Sequence, residues 1–186
     1  MASLPSALYC FLVLQKGKVD TPIMTHSELV QRAYKWILTT QSYNHFENYK
    51  CSFAFREFNS LAIETPDVIG WKNASSISVL IECKVSRSDF LSDKKKKFRI
   101  NKRMATGNYR FYACPSGLIK QEELPKKWGL IYFHSKKATV IKHPTMFTEV
   151  EIAGNELTML CSALRRLHLR GMLESIYEPF FNAQQG

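Results

Sequence analysis

Residues 77–85, ISVLIECKV, are apolar enough for the middle strand of a sheet, yet Glu82 and Lys84 stand inside the run. No other feature constrains the chain so tightly, because a charge taken out of water must be paired or neutralised. Side chains alternate across a strand, so Glu82 and Lys84 project to one face while Cys83 projects to the other. Just upstream, Pro66 introduces a second short run, Asp67–Trp71, and the intervening KNASS segment predicts a hairpin. Pairing of the two runs brings Asp67 beside Glu82. Two carboxylates held close repel each other unless a cation lies between them. Hard oxygen donors with a few waters suit Mg²⁺ or Mn²⁺. Lys84 is then placed to contact a scissile phosphate or to help deprotonate a metal-bound water, which is a set suited to phosphodiester hydrolysis. The same residues also fit a buried ion pair of Lys84 with Asp67 or Glu82, or an edge strand facing water.

The flanking pattern places this pair of runs within an α/β domain. A helix is predicted from Ser27 to Thr39, capped by Thr25 or Ser27, with Leu29, Ala33, Trp36 and Ile37 on one face. CSFAFREF, residues 51–58, alternates and reads as a strand. Residues 86–104, SRSDFLSDKKKKFRINKRM, lack Pro and Gly; Ser86 or Ser88 offers a cap, and Leu91 and Phe98 recur at i, i+7, so they predict one basic helix. RFYACP follows as a strand, then a helical turn at Gln121–Leu124, and then WGLIYFH and ATVIKH, separated by SKK, as a hairpin. Asn155 is expected to cap a last helix running to Arg170, striped by Leu157, Leu160, Leu164 and Leu167. The order is α-β-β-β-α-β, then a hairpin and a closing helix: a central mixed sheet flanked by helices. It forms one domain over residues 24–186. Residues 1–23 form an N-terminal extension whose LPSALYCFLVL run is too short to span a bilayer. That run lacks the preceding positive charge and small-residue cleavage site of a secretory signal, leaving an extra strand or a loose segment.

Charge bears on partners. Lys and Arg number 26 against 16 Asp and Glu, a formal net charge of +10 that favours a polyanion. Its densest part is Lys94, Lys95, Lys96 and Lys97, extended by Arg99, Lys102 and Arg103, and these residues are the expected nucleic-acid footprint. Four consecutive helical residues sweep about 300°, which puts Lys94 closest to the Leu91 and Phe98 stripe. Asp89 and Asp93, four apart, read as caps and partners of Lys97 or Arg87 rather than as a second metal site. Trp128, Tyr132 and Phe133 read as core. The five cysteines form no C-x-x-C pair and the five histidines show no ligand spacing; this predicts no zinc site or disulfide framework and points to a reducing, cytoplasmic setting rather than secretion.

PDVIG…IECK resembles the PD-(D/E)-x-K nuclease superfamily. ECKVSRSDFLSDKKKKFR, YRFYACP and WGLIYF are similar, more closely, to its MmcB-like DNA-repair branch. The resemblance covers roughly Glu28 to Ile141 and implies a restriction-endonuclease-like fold. It also implies metal ligation by Asp67 and Glu82, with the Cys83 backbone carbonyl as a third ligand, and a catalytic role for Lys84. Members often add an acid from the first helix or strand; Glu28 and Glu57 are the candidates here, each equally readable as a surface residue, and Glu64 reads as solvent-facing. The implied activity is Mg²⁺- or Mn²⁺-dependent cleavage of DNA rather than RNA, in repair, recombination or a phage-related process, with a homodimer in keeping with duplex cutting. The alternative is a nucleic-acid-binding module or partner subunit on the same fold that does not cleave.

Overall fold

A six-stranded sheet organises the chain, because β3 (Ser78–Cys83) is buried on both faces and needs cover on each. The computed structural model describes residues 24–39, 48–72, 76–93, 95–96, 99, 101, 104–148 and 151–177. The expectations for the 1–23 extension and for Lys94, Lys97, Lys102 and Arg103 lie outside these residues.

The strands β1 (Phe53–Arg56), β2 (Val68–Trp71), β3, β4 (Tyr109–Pro115), β5 (Gly129–Phe133) and β6 (Ala138–Lys142) lie in the sheet in sequence order. β1, β2 and β3 pair antiparallel, β3, β4 and β5 parallel, and β5 and β6 antiparallel as the expected hairpin. The mixed α/β architecture read from the sequence is therefore the one observed. Among the described residues no helix is long and apolar enough to cross a membrane.

α1 (His26–Thr39) covers one face. Its Leu29, Val30, Ala33 and Ile37 pack on Val79, Ile81 and Cys83 of β3 and on Phe111 and Ala113 of β4. The opposite face takes Phe90 of α2 (Arg87–Asp93) and Ile152 of α3 (Glu151–Leu169) against Leu80, Tyr112 and Leu130. Glu82 and Lys84 follow Leu80 on this second face, so the sheet itself decides which helices can surround them.

Two predicted helices differ from those observed. Of the basic helix expected over 86–104, α2 covers Arg87–Asp93, and Arg99 is again helical after a tight turn. Beyond α2 the amides of Lys95 and Lys96 donate to Ser92 and Asp93, bonds that span three residues and turn the chain tightly. Asp93 is fully buried, and Lys96 and Arg99 fold back onto it. α3 starts at Glu151 rather than after an Asn155 cap, and the Asn155 amide donates instead to the Ala105 carbonyl. Its buried face is Ile152, Glu156 and Met159, while Leu157 and Leu164 of the expected stripe are exposed. A leucine count does not reveal Glu156, whose buried carboxylate accepts three hydrogen bonds.

Candidate active site at the ends of β2 and β3

The register places the first two candidate carboxylates. Val68 pairs with Ile81, so Asp67, one residue before β2, stands opposite Glu82 in β3. Arg56 pairs with Val68, and the Glu57 amide donates to the Asp67 carbonyl at 2.9 Å. Glu57, Asp67 and Glu82 thus stand in one row across three strands. Glu57 has φ of 45°, in the left-handed region that residues with a Cβ seldom occupy.

The outer part of the row meets solvent. One Asp67 oxygen accepts the Cys83 amide at 2.7 Å, which ties the end of β2 to the end of β3. His26, the first residue of α1, reaches over this edge, with Nε2 3.5 Å from Asp67 and Nδ1 3.9 Å from Glu57. Scattered histidines gave no ligand spacing in the sequence; only the docking of the α1 N-terminus on the strand ends brings His26 here. Glu28 does not join the row as described. Its carboxylate accepts the Thr25 amide at 2.8 Å and the Thr25 hydroxyl at 3.0 Å, closing a capping box. These bonds hold the Glu28 carboxyl below its ordinary range.

The inner part is a closed set of charges. Lys84 is only 4% exposed, with Nζ 3.4 Å from Glu82, 3.4 Å from Asp93 and 3.6 Å from Asp89. Arg99, expected on the DNA-facing surface, points inward instead: Nη2 lies 3.1 Å from Glu82, Nε donates to Asp93 at 2.8 Å, and Nη1 pairs with Glu64. Glu64, expected to face solvent, is fully buried, and its second oxygen accepts both the amide and the hydroxyl of Thr106 at 2.7 and 2.8 Å. Asp93 also accepts the Tyr112 hydroxyl at 2.6 Å and lies 2.8 Å from Lys96. Asp89 and Asp93 therefore serve Lys84, Lys96 and Arg99. Arg87 turns away to a two-bond pairing with Glu123 at 2.7 and 2.5 Å. Spacing along the chain could not have shown Glu64, Asp93 and Arg99 together, because tertiary packing alone joins them.

Three buried carboxylates facing two buried cations set the protonation chemistry. Burial pushes Glu82 up to about 7; Arg99 and Lys84 oppose the rise, whereas Asp67 and Glu64 add to it. For Asp93 burial is outweighed by Arg99 and by bonds from Lys96 and Tyr112, which hold it well below the usual carboxylate range. Burial works against the Lys84 ammonium, but Glu82, Asp93, Asp67 and Asp89 outweigh it and raise its pKa. Lys84 is thus held as a cation, suited to meeting a phosphate and not to taking up a proton.

Among the described residues no group of three or more His, Cys, Asp or Glu side chains is arranged as a metal cage. Asp67 and Glu82 still form a two-carboxylate donor set, with Asp67 repelling Glu82. That chemistry fits a hard ion that keeps much of its water and takes its remaining oxygens from substrate. Of the expected surface cations, Lys95 and Lys96 are exposed.

No family model matches the chain, and no curated protein matches it. A solved structure, a protein of unknown function from Silicibacter pomeroyi, is similar at 21% identity over 70% of this chain and 85% of its own length, with a TM-score of 0.46.

Proposed function

We propose that the chain is a divalent-metal-dependent nuclease acting on phosphodiester bonds of DNA. One observation carries this reading: the β2–β3 register sets Asp67 opposite Glu82, with Lys84 on the same face two residues on. In this reading Asp67 and Glu82 hold a Mg²⁺ or Mn²⁺ ion, which when bound supplies a Lewis acid for the phosphoryl oxygen and a more acidic water. Lys84 remains an ammonium and offsets negative charge on the attacked phosphate. Arg99 keeps Glu82 oriented and draws it toward its anionic form. Asp67 is the more accessible carboxylate, and His26 borders it. The basic excess of the chain draws the polyanion in.

A second reading draws support from the closure of Lys84 by three carboxylates. A nucleic-acid-binding module or partner subunit on this fold would keep the network only as buried ion pairs. Incubation of the full chain with labelled single-stranded and duplex DNA and RNA, in Mg²⁺, Mn²⁺ or EDTA, separates the two. The nuclease reading expects DNA products in either metal and none in EDTA. Binding without products under all three conditions would favour the second.

A further inference from the structure

On the α2 and α3 side of the sheet, a cavity of about 470 Å³ opens beside the charged network, lined by Tyr112 and Arg110 of β4, Trp128, Phe147, Arg99 and Lys126 among others. Its size falls within the roughly 300–1,000 Å³ usual for small-ligand sites. Aromatic rings and cations alternate in its walls. Tyr112 stacks on Trp128, with ring centres 4.5 Å apart and planes at 24°. The Arg99 guanidinium lies 4.6 Å from the Trp128 ring centre, and that of Arg110 lies 4.1 Å from Phe147. Lys126 stands exposed at the edge. Glu123 contributes the cavity's carboxylate, which is already paired with Arg87.

This combination selects a ligand class. A bare anion has no use for three aromatic walls, and an apolar ligand has none for Arg110 and Lys126, since Arg99 is already matched by Glu64, Glu82 and Asp93. A planar ring carrying a phosphate uses both, since bases stack on aromatic rings and on guanidinium planes. We propose that the cavity binds a nucleotide, with the base among Tyr112, Trp128, Phe147 and the guanidiniums and the phosphate toward Lys126. The cavity shares a wall with the carboxylate site, because Arg99 also contacts Glu82 at 3.1 Å and the Tyr112 hydroxyl reaches Asp93 at 2.6 Å. A base stacked within a duplex cannot enter such a pocket, so the occupant is a free nucleotide or an unpaired residue of a strand. The inference goes beyond the proposed hydrolysis, as this binding needs neither metal nor cleavage.

The test is titration of the full chain in EDTA, read by tryptophan fluorescence and calorimetry, with dAMP, deoxyadenosine, inorganic phosphate, a short single strand and a blunt duplex. Saturable dAMP binding is expected, with deoxyadenosine and phosphate each weaker by about tenfold, the scale of losing one charged or stacking contact. The single strand should compete with dAMP and the duplex should not. A single strand that binds tighter than dAMP marks a strand residue as the occupant; the reverse order marks a free nucleotide. Leu124→Trp, which fills the cavity, should weaken dAMP binding at least about tenfold, and the exposed Lys126→Ala should weaken it by about threefold to tenfold with an unchanged melting temperature. The proposal is overturned if dAMP does not saturate the protein, if phosphate competes as well as dAMP, or if Lys126→Ala leaves the affinity unchanged. Because no cleavage is read, failure here leaves the nuclease reading standing, and the reverse also holds.

Discussion

Two glutamates are buried near opposite ends of β3, Glu82 at 3% exposure and Glu156 at 4%, and the company each keeps is different. Glu156 meets neutral donors: the Trp71 indole N–H at 3.0 Å, the Ser78 hydroxyl at 2.6 Å and the Gly107 amide at 2.8 Å. It clasps α3 to β2, β3 and the chain entering β4. Gly107 can present that amide because it adopts φ of +83°, and a Cβ there would sit 2.5 Å from that of Leu80. Glu82 instead meets two cations, Lys84 and Arg99, and faces another carboxylate, Asp67. Burial raises the pKa of both glutamates. One is held by neutral donors and the other by charged groups, and burial alone does not tell them apart.

The largest stability effect should come from breaking the charged end. Arg99→Ala leaves Glu64, Glu82 and Asp93 to Lys84 and the peripheral Lys96. Removing one partner of a buried ion pair typically costs about 3–5 kcal/mol, which urea unfolding would read. A loss below about 1 kcal/mol would mean that Arg99 is not the hub described.

Next in size is a pH effect confined to Glu82. Its folded pKa, up to about 7, lies above the ordinary 4.5, so the folded state holds the proton longer than the unfolded chain. Its contribution favours the fold below pH 4.5 and is lost as the pH rises through 7. The stability of the wild type relative to Glu82→Gln should therefore fall across that window by up to about 3 kcal/mol. Parallel pH profiles would contradict the assignment.

At the other end, Glu156→Gln replaces one acceptor oxygen by a donor facing N–H or O–H groups. A loss of about 1–3 kcal/mol is expected, with any metal-dependent cleavage at pH 7 retained. A variant that stays folded but loses cleavage would erase the contrast between the two glutamates. Smallest of all, Lys95→Ala should leave the melting temperature unchanged and lower the salt slope of DNA binding by about 0.9 if it removes one duplex phosphate contact. An unchanged slope would move the DNA surface elsewhere.

The sheet and its strand order were legible because apolar runs and turn residues are local signals. The Asp67–Glu82 juxtaposition was legible too, since one hairpin sets it. The charged network was not: Asp93 and Arg99 look like surface residues in a basic, polar run, Glu64 looks like a loop residue before Pro66, and only long-range packing buries them. The same packing accompanies the tight turn at Lys95 and Lys96, just past α2, which a helical pattern does not announce. On α3, Glu156 occupies a core position that an apolar stripe cannot reveal, because its partners Trp71, Ser78 and Gly107 come from other parts of the chain.

The central claim is that Asp67 and Glu82 form a metal-binding carboxylate pair for hydrolysis, and Asp67→Asn tests it with the least disturbance. Asp67 lies outside the closed network, and an asparagine oxygen can still accept the Cys83 amide. The measurement is DNA cleavage in Mg²⁺ alongside a thermal melt of the same preparation. A folded variant with DNA affinity retained and a rate lower by about 10²–10³ or more is predicted, the scale of losing one electrostatic stabiliser. A folded variant that cleaves at the wild-type rate would contradict it.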